Sequence, residues 1–290
     1  MMEVQKLTLT TADDHRFEAA YFPTDDPLAP ILLFLSALGT PARVYGRFGR
    51  EMVLNGVQVC TPDWRGIASS SVRAGRRSDF GYRHLLEFDL TSLIEAVRQR
   101  FPNSPLWLGG HSLGGQLALL KAAAIPQGIS GVVLVASGSV HLAAYQGKLH
   151  AAIRCLAYLS GWVGAAIGYF PGARVGFGGR EAAGLMRDWS EVARTGQYRP
   201  AESKINYEQC LRSLEIPVLA LTFEADAWSP ASAAQALLKK LSAQSPLHWH
   251  WATADTGGTP VDHYSWLKQP SLVAPALAQF MSRVASREAG

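Results

Sequence analysis

The chain has 290 residues, 48% of them hydrophobic and 17% charged, a balance that supports a large buried core and excludes disorder. Its 27 basic and 23 acidic side chains leave a formal charge of +4; the densest basic group, Arg73, Arg76 and Arg77, is short and lacks interleaved aromatics, so no nucleic-acid partner is expected. Cys60, Cys155 and Cys210 are odd in number and widely spaced, which argues against a disulfide framework or zinc site, and with a polar opening from Met1 to Lys6 the expected location is cytoplasmic.

In chain order, residues 5–11 and 16–22 read as strands of a hairpin around Ala12-Asp13-Asp14. Residues 31–35 are continuously apolar after Pro30, the pattern of a strand covered on both faces. A helix is predicted over 44–55, ended by Gly56, and a short strand over 57–60. Leu86, Leu90, Leu93, Ile94 and Val97 fall on one helical face, and Pro102 and Pro105 follow it. Residues 106–108 read as a strand and 114–124 as the next helix. Buried-strand patterns return at 131–136 and 217–222, with one more strand at 248–252. Val273, Ala276, Leu277, Phe280, Met281 and Val284 mark a last amphipathic helix.

This alternation predicts the α/β class: a mostly parallel sheet with helices on both faces and an antiparallel edge from the hairpin. The rhythm breaks at 141–213, a helical stretch rich in Ala and Gly without a good strand. The chain therefore divides into a core over 1–140, a helical lid or cap insertion over 141–213, and a second part of the core over 214–290. Within the insertion, residues 155–170 carry no charge, but these 16 residues fall short of the ~20 that a spanning helix needs. The prediction is a buried or partly exposed amphipathic helix: no stable membrane insertion, at most weak surface association.

The chemistry centres on Gly110-His111-Ser112-Leu113-Gly114-Gly115. G-x-S-x-G between a strand and a helix is the pattern of a nucleophile elbow, whose turn is so tight that flanking residues need to lack a Cβ. Ser112 is the predicted nucleophile, on a helix N-terminus that favours developing negative charge. A serine hydroxyl needs a base to take its proton. Of eight histidines, His111 is directed away from the reacting centre by its place in the motif, and His248 and His250 face one side of a strand-like run. His15, His84, His141 and His150 lie outside the expected strand-end loops. His263, between the last strand and the last helix, is left as the base. The carboxylate that orients it is expected to be Asp226, after the strand at 217–222. Glu224 is its closest rival, and Asp255 and Asp262 are weaker because they sit close to His263 in sequence.

The order Ser112, Asp226, His263, the elbow, the strand rhythm and Asp63-Trp64-Arg65-Gly66 together resemble the α/β-hydrolase superfamily over nearly the whole chain, in feel closest to its bacterial serine hydrolases with an inserted lid. The Asp63–Gly66 run is similar to the D-x-R-G segment that follows the fourth strand in many of them. The resemblance implies an oxyanion hole from two backbone amides, Leu113 and, from the loop Ser36-Ala37-Leu38-Gly39 where many relatives have His-Gly, Leu38 with Ala37 as the alternative. It implies acyl transfer on a small-molecule ester or thioester, with no metal or organic cofactor. Trp162, Phe170 and Trp228 are expected in the substrate pocket, with Leu156, Leu159, Val163 and Ile167 either lining it or packing on the sheet domain. A carboxylic ester with a hydrophobic acyl group is the leading expectation. A thioesterase, an acyltransferase, a carbon–carbon bond hydrolase and a binding protein on a hydrolase scaffold are the alternatives. Dehalogenases and epoxide hydrolases are disfavoured because such relatives place Asp at the elbow. The sequence is silent on oligomeric state.

Overall fold

The computed structural model describes residues 3–242 and 246–288. Its first two strands, β1 (Gln5–Thr10) and β2 (Arg16–Phe22), form the expected hairpin. In β2 the side chains of Phe17, Ala19 and Tyr21 are buried and alternate with more exposed ones, as a half-covered edge requires. β3 (Ile31–Leu35) is buried throughout, and α1 (Gly46–Leu54) leads to β4 (Gln58–Pro62). A π-helical stretch, His84–Asp89, runs into α2 (Leu90–Arg100). The core continues through β5 (Leu106–His111), α3 (Leu113–Ala124) and β6 (Gly131–Val135).

Between β6 and the next strand of the main sheet lie α4 (Gly147–Ile167), β7 (Tyr169–Pro171), β8 (Arg180–Ala182), α5 (Ala183–Thr195) and α6 (Tyr207–Arg212). The chain then returns through β9 (Val218–Phe223), α7 (Ala231–Leu238), β10 (Pro246–Trp251) and α8 (Ala274–Glu288).

The eight-stranded sheet has the order β1-β2-β4-β3-β5-β6-β9-β10. From β4 to β10 its pairs are parallel, while β1 and β2 are antiparallel additions at one edge. Leu93, Val97, Leu117 and Leu120 of α2 and α3 cover one face, and Phe48, Met52, Leu277 and Phe280 of α1 and α8 cover the other. The expected architecture, a mostly parallel α/β sheet with helices on both faces, is the one observed.

The stretch at 141–213 differs from its sequence reading: it contains strands. β7 and β8 pair antiparallel as a separate two-stranded sheet. Three residues per strand are too few to show a period of two, so no pattern could reveal them. In α4, Ile153, Ala157, Ser160 and Gly164 are buried, while Tyr158, Leu159, Trp162 and Ile167 are exposed. Among the described residues no helix is long and apolar enough to cross a membrane.

The Asp63–Gly66 run works as a brace. The Asp63 carboxylate accepts from the Ala42 amide at 2.8 Å and from the Ser69 hydroxyl at 2.8 Å. Trp64 Nε1 donates to the Ser36 carbonyl at 2.7 Å, steadying the loop after β3. The buried Arg65 guanidinium donates to Asp89 at 2.6 Å and to Asp13 at 2.6 Å, tying the β1–β2 turn to the entry of α2. In the same cluster His15 Nδ1 lies 3.1 Å from Asp89, and its Nε2 lies 2.9 Å from Ser70 Oγ.

Candidate active site

Parallel pairing places the chemistry. Leu35, which ends β3, is in register with Gly110, and His111 is in register with Val135 of β6. The loops after β3, β5, β9 and β10 therefore emerge at one edge of the sheet, where an open α/β sheet holds its ligand.

Ser112 stands between β5 and α3 with φ +54° and ψ −122°, a left-handed conformation that an L-residue keeps only when its surroundings impose it. They do: a Cβ on Gly114 would lie 2.2 Å from the Leu35 carbonyl oxygen, and one on Gly110 would lie 2.4 Å from the Gly114 backbone. The turn is also held through backbone bonds. The Ser112 amide donates to Val135 at 3.2 Å, and its carbonyl accepts from the Ser137 hydroxyl at 2.7 Å.

His263 and Asp226 meet across two loops. His263 Nδ1 lies 2.9 Å from Asp226 Oδ2 and 3.1 Å from Oδ1. The carboxylate also accepts from the Ser229 amide at 2.9 Å and is 2% exposed. An ionised carboxylate only accepts, so Nδ1 carries the proton and Nε2 is left with its lone pair. Glu224 is spent elsewhere, accepting the Thr253 amide at 2.8 Å, while Asp255 accepts from the Ala252 amide and Asp262 caps the turn at Tyr264 and Ser265.

Ser112 and His263 line one cleft of about 600 Å³, part of it open to solvent. Ser112 Oγ makes no hydrogen bond to His263 among the described residues; serine–base bonds are often loose before substrate binds. The Leu38 and Leu113 residues line the same cleft. The Ala37 amide, the alternative donor, is taken: it donates to the buried Tyr45 hydroxyl at 2.8 Å. No acceptor among the described residues takes the Leu38 or Leu113 amide.

Of the three expected pocket residues the structure brings only Trp228 to this cleft. Trp162 is 78% exposed, on the outer side of α4, and Phe170 is buried in the hydrophobic core rather than facing the cleft. The reason is geometric: α4 spends its inner face on α5 and reaches the cleft only through Ile153 near its start. The walls that sequence reasoning missed are Gln116, Val140, Tyr145, Phe177, Trp189 and Tyr264. One signal was available, Gly176-Phe177-Gly178-Gly179, an aromatic set among glycines inside a helical stretch. That loop lies directly on the loop after β3: a Cβ on Gly39 would be 2.3 Å from the Gly179 nitrogen.

The surroundings are apolar. Phe177 packs edge-on to Trp189 at 4.9 Å and against Trp228 at 5.7 Å. The Tyr145 hydroxyl donates to the Trp228 carbonyl at 3.1 Å, and burial pushes the Tyr145 phenol well above its ordinary range. His111 packs on His263 with ring centroids 4.7 Å apart. Burial, then the neighbouring His263, pushes it well below the usual histidine range, so it is neutral.

Comparison with known proteins places the chain in a family. The family model described as serine aminopeptidase, S33, matches residues 27–197, more than half the chain. Monoglyceride lipase of Homo sapiens is 30% identical over 129 residues, which are 44% of this chain and 41% of that protein. The chain thus matches about two fifths of that relative's length. The esterase domain of a Rhodothermus marinus protein superposes with a TM-score of 0.63 at 15% identity, covering 97% of this chain and 99% of that one. A thioesterase domain from the curacin biosynthetic pathway gives 0.59 at 16% identity, covering 97% and 100%. At such identities these structures show a shared α/β-hydrolase fold.

Proposed function

The chain belongs to the serine aminopeptidase S33 family of hydrolases, and from that premise we propose that it hydrolyses a neutral, apolar carboxylic ester through Ser112, His263 and Asp226. The observation that carries this is the bond from His263 Nδ1 to Asp226 at the rim of the cleft that Ser112 lines.

Ser112 Oγ attacks the ester carbonyl as His263 Nε2 takes its proton, and Asp226 stabilises the imidazolium. The Leu38 and Leu113 amides receive the oxyanion, aided by the N-terminus of α3. The tetrahedral intermediate collapses, His263 protonates the leaving alcohol, and an acyl group is left on Ser112. Water, deprotonated by His263, attacks that acyl group and regenerates the serine. The strained backbone at Ser112 keeps Oγ raised toward the cleft through both steps.

The walls argue for the substrate class. An aminopeptidase must hold a free ammonium, which calls for a carboxylate, and no Asp or Glu lines this cleft among the described residues. Leu38, Val140, Ile153, Phe177, Trp189 and Trp228 instead offer an apolar seat, and Gln116 one polar contact. We take 141–213 as the cap, since Tyr145, Ile153, Phe177 and Trp189 come from it.

A chain-length series of p-nitrophenyl esters, with matched thioesters and aminoacyl p-nitroanilides, tests this beside Ser112→Ala. Neutral esters should turn over, anilides should not, and a fluorophosphonate should label Ser112. Turnover of thioesters alone would move the reading to a thioesterase. Ester turnover that survives Ser112→Ala would end it.

A further inference from the structure

Behind the reacting face, a hydrogen-bonded chain joins the loop after β3 to the base. The Ala37 amide donates to Tyr45 Oη at 2.8 Å, and Tyr45 Oη lies 2.9 Å from His111 Nδ1. Tyr45 and His111 are both 0% exposed. Burial keeps the tyrosine a phenol and the histidine an imidazole. A phenol oxygen that accepts from Ala37 turns its own proton to His111 Nδ1, so the imidazole proton sits on Nε2. That nitrogen forms no full hydrogen bond among the described residues, although the His263 carbonyl is close enough to restore part of the ring's basicity. Tyr264 and Trp266 stand edge-on to the His111 ring at 5.1 Å and 5.4 Å, leaving it little freedom to turn.

We infer that Tyr45 and His111 are positioning residues that hold the oxyanion loop and the base in one register, through a single phenol hydroxyl shared between the Ala37 amide and the His111 ring that backs His263. The inference rests on the reading of Ser112, His263 and Leu38 above. Ala37 immediately precedes the proposed Leu38 donor, so an unbonded Ala37 amide frees that donor to drift. His111 gives His263 a flat, neutral wall. A cation there would repel the imidazolium that forms as Ser112 is deprotonated. Neither residue lines the cleft. Their loss is therefore paid in transition-state geometry, where a small misplacement costs rate.

Three variants test this with a neutral p-nitrophenyl ester: Tyr45→Phe, His111→Leu and His111→Asn, alongside Ser112→Ala. Tyr45→Phe removes one oxygen atom and His111→Leu the acceptor; each should lower kcat about tenfold or more, with KM moving less than about twofold. His111→Asn restores an oxygen that can accept the Tyr45 proton and should regain most of the kcat lost in His111→Leu. In the Ser112→Ala background, which needs no turnover, the His263 Nδ1 proton should exchange faster with water once Tyr45→Phe is added. Activity that persists in Ser112→Ala overturns the triad itself. Activity lost there, with wild-type kcat in Tyr45→Phe, or with His111→Asn no better than His111→Leu, overturns the relay and leaves the triad standing.

Discussion

Among the described residues the chain brings a serine, a histidine and an aspartate together in two places. At one, His263 Nδ1 is 2.9 Å from Asp226, and Ser112 lines the cleft beside it. At the other, His15 Nδ1 is 3.1 Å from Asp89 and its Nε2 is 2.9 Å from Ser70 Oγ. By distance alone the second cluster is the more complete triad. What separates them is what each group has left to give. Ser70 Oγ already accepts from the Gly66 amide at 2.8 Å and donates to the Val72 carbonyl at 3.1 Å. Asp89 is committed to the Arg65 guanidinium, and Ser70, His15 and Asp89 are all at most 5% exposed. Ser112 has a left-handed backbone, an open cleft and two unclaimed amides beside it. Hydrogen-bonding capacity that is saturated makes a brace; the same groups with capacity unspent, at a surface a substrate can reach, make a candidate site.

Paired substitutions break or sharpen this contrast. The largest effect belongs to the serines. Ser112→Ala should lower kcat by about 10⁴-fold or more while the melting temperature holds within about 2 °C. Ser70→Ala should keep kcat and lose about 1–3 kcal/mol of stability in urea, since the Gly66 amide and His15 are left without their acceptor or partner. Comparable kinetic losses in the two would erase the distinction.

The aspartates come next. Asp226→Asn should cost about 10²–10⁴-fold in kcat, because an amide favours the wrong imidazole tautomer. Asp89→Asn should leave kcat near wild type and cost about 3 kcal/mol, because Arg65 loses its more buried carboxylate partner and keeps only Asp13. Urea unfolding and steady-state kinetics on the same preparations separate the outcomes.

The smallest effect is a pH dependence of the brace. Burial works to raise the Asp13 carboxyl, but hydrogen bonds from Arg65 and Thr11 outweigh it and hold it at about 2. The folded value lies below the unfolded one, so ionised Asp13 stabilises the fold at neutral pH. That contribution is fully present above about pH 4 and disappears as pH falls toward 2. Asp13→Asn lacks it, so the gap in urea midpoint between wild type and Asp13→Asn should be constant near neutrality and close below pH 4. A gap that stays open at pH 2 would show that the pair contributes through contact rather than charge.

Much of the framework was legible because its signals are local. Largely apolar runs at Ile31–Leu35, Gly131–Val135 and Val218–Phe223 report strands buried on both faces, and the 3.6-residue spacing after Leu90 reports a helix. The elbow was legible because its G-x-S-x-G pattern is contiguous: Gly110 is demanded by the Gly114 backbone four residues on, although Gly114 itself is demanded by the distant Leu35 carbonyl. Other features carry no such mark. Trp162, in an apolar helical run, faces solvent while Trp228, in the loop after β9, reaches the cleft, because the packing of α4 on α5 decides which side of that helix looks inward and the sheet edge decides where the loop lies. β7 and β8 are too short to carry a period at all.

The amino-acid sequence by itself determined the alternation of strands and helices, the tight turn at Ser112 and the short set of groups able to serve as its base and carboxylate, since each is a matter of local periodicity, steric need or side-chain chemistry. Only the tertiary structure decided that Asp226 rather than Glu224 meets His263, that Tyr45 occupies the Ala37 amide and leaves Leu38 free, and that Phe177 and Trp189 wall the cleft. These are choices among groups of equal chemistry. They are made by which loops a parallel sheet brings to the same edge and by which hydrogen bonds the packing has already filled.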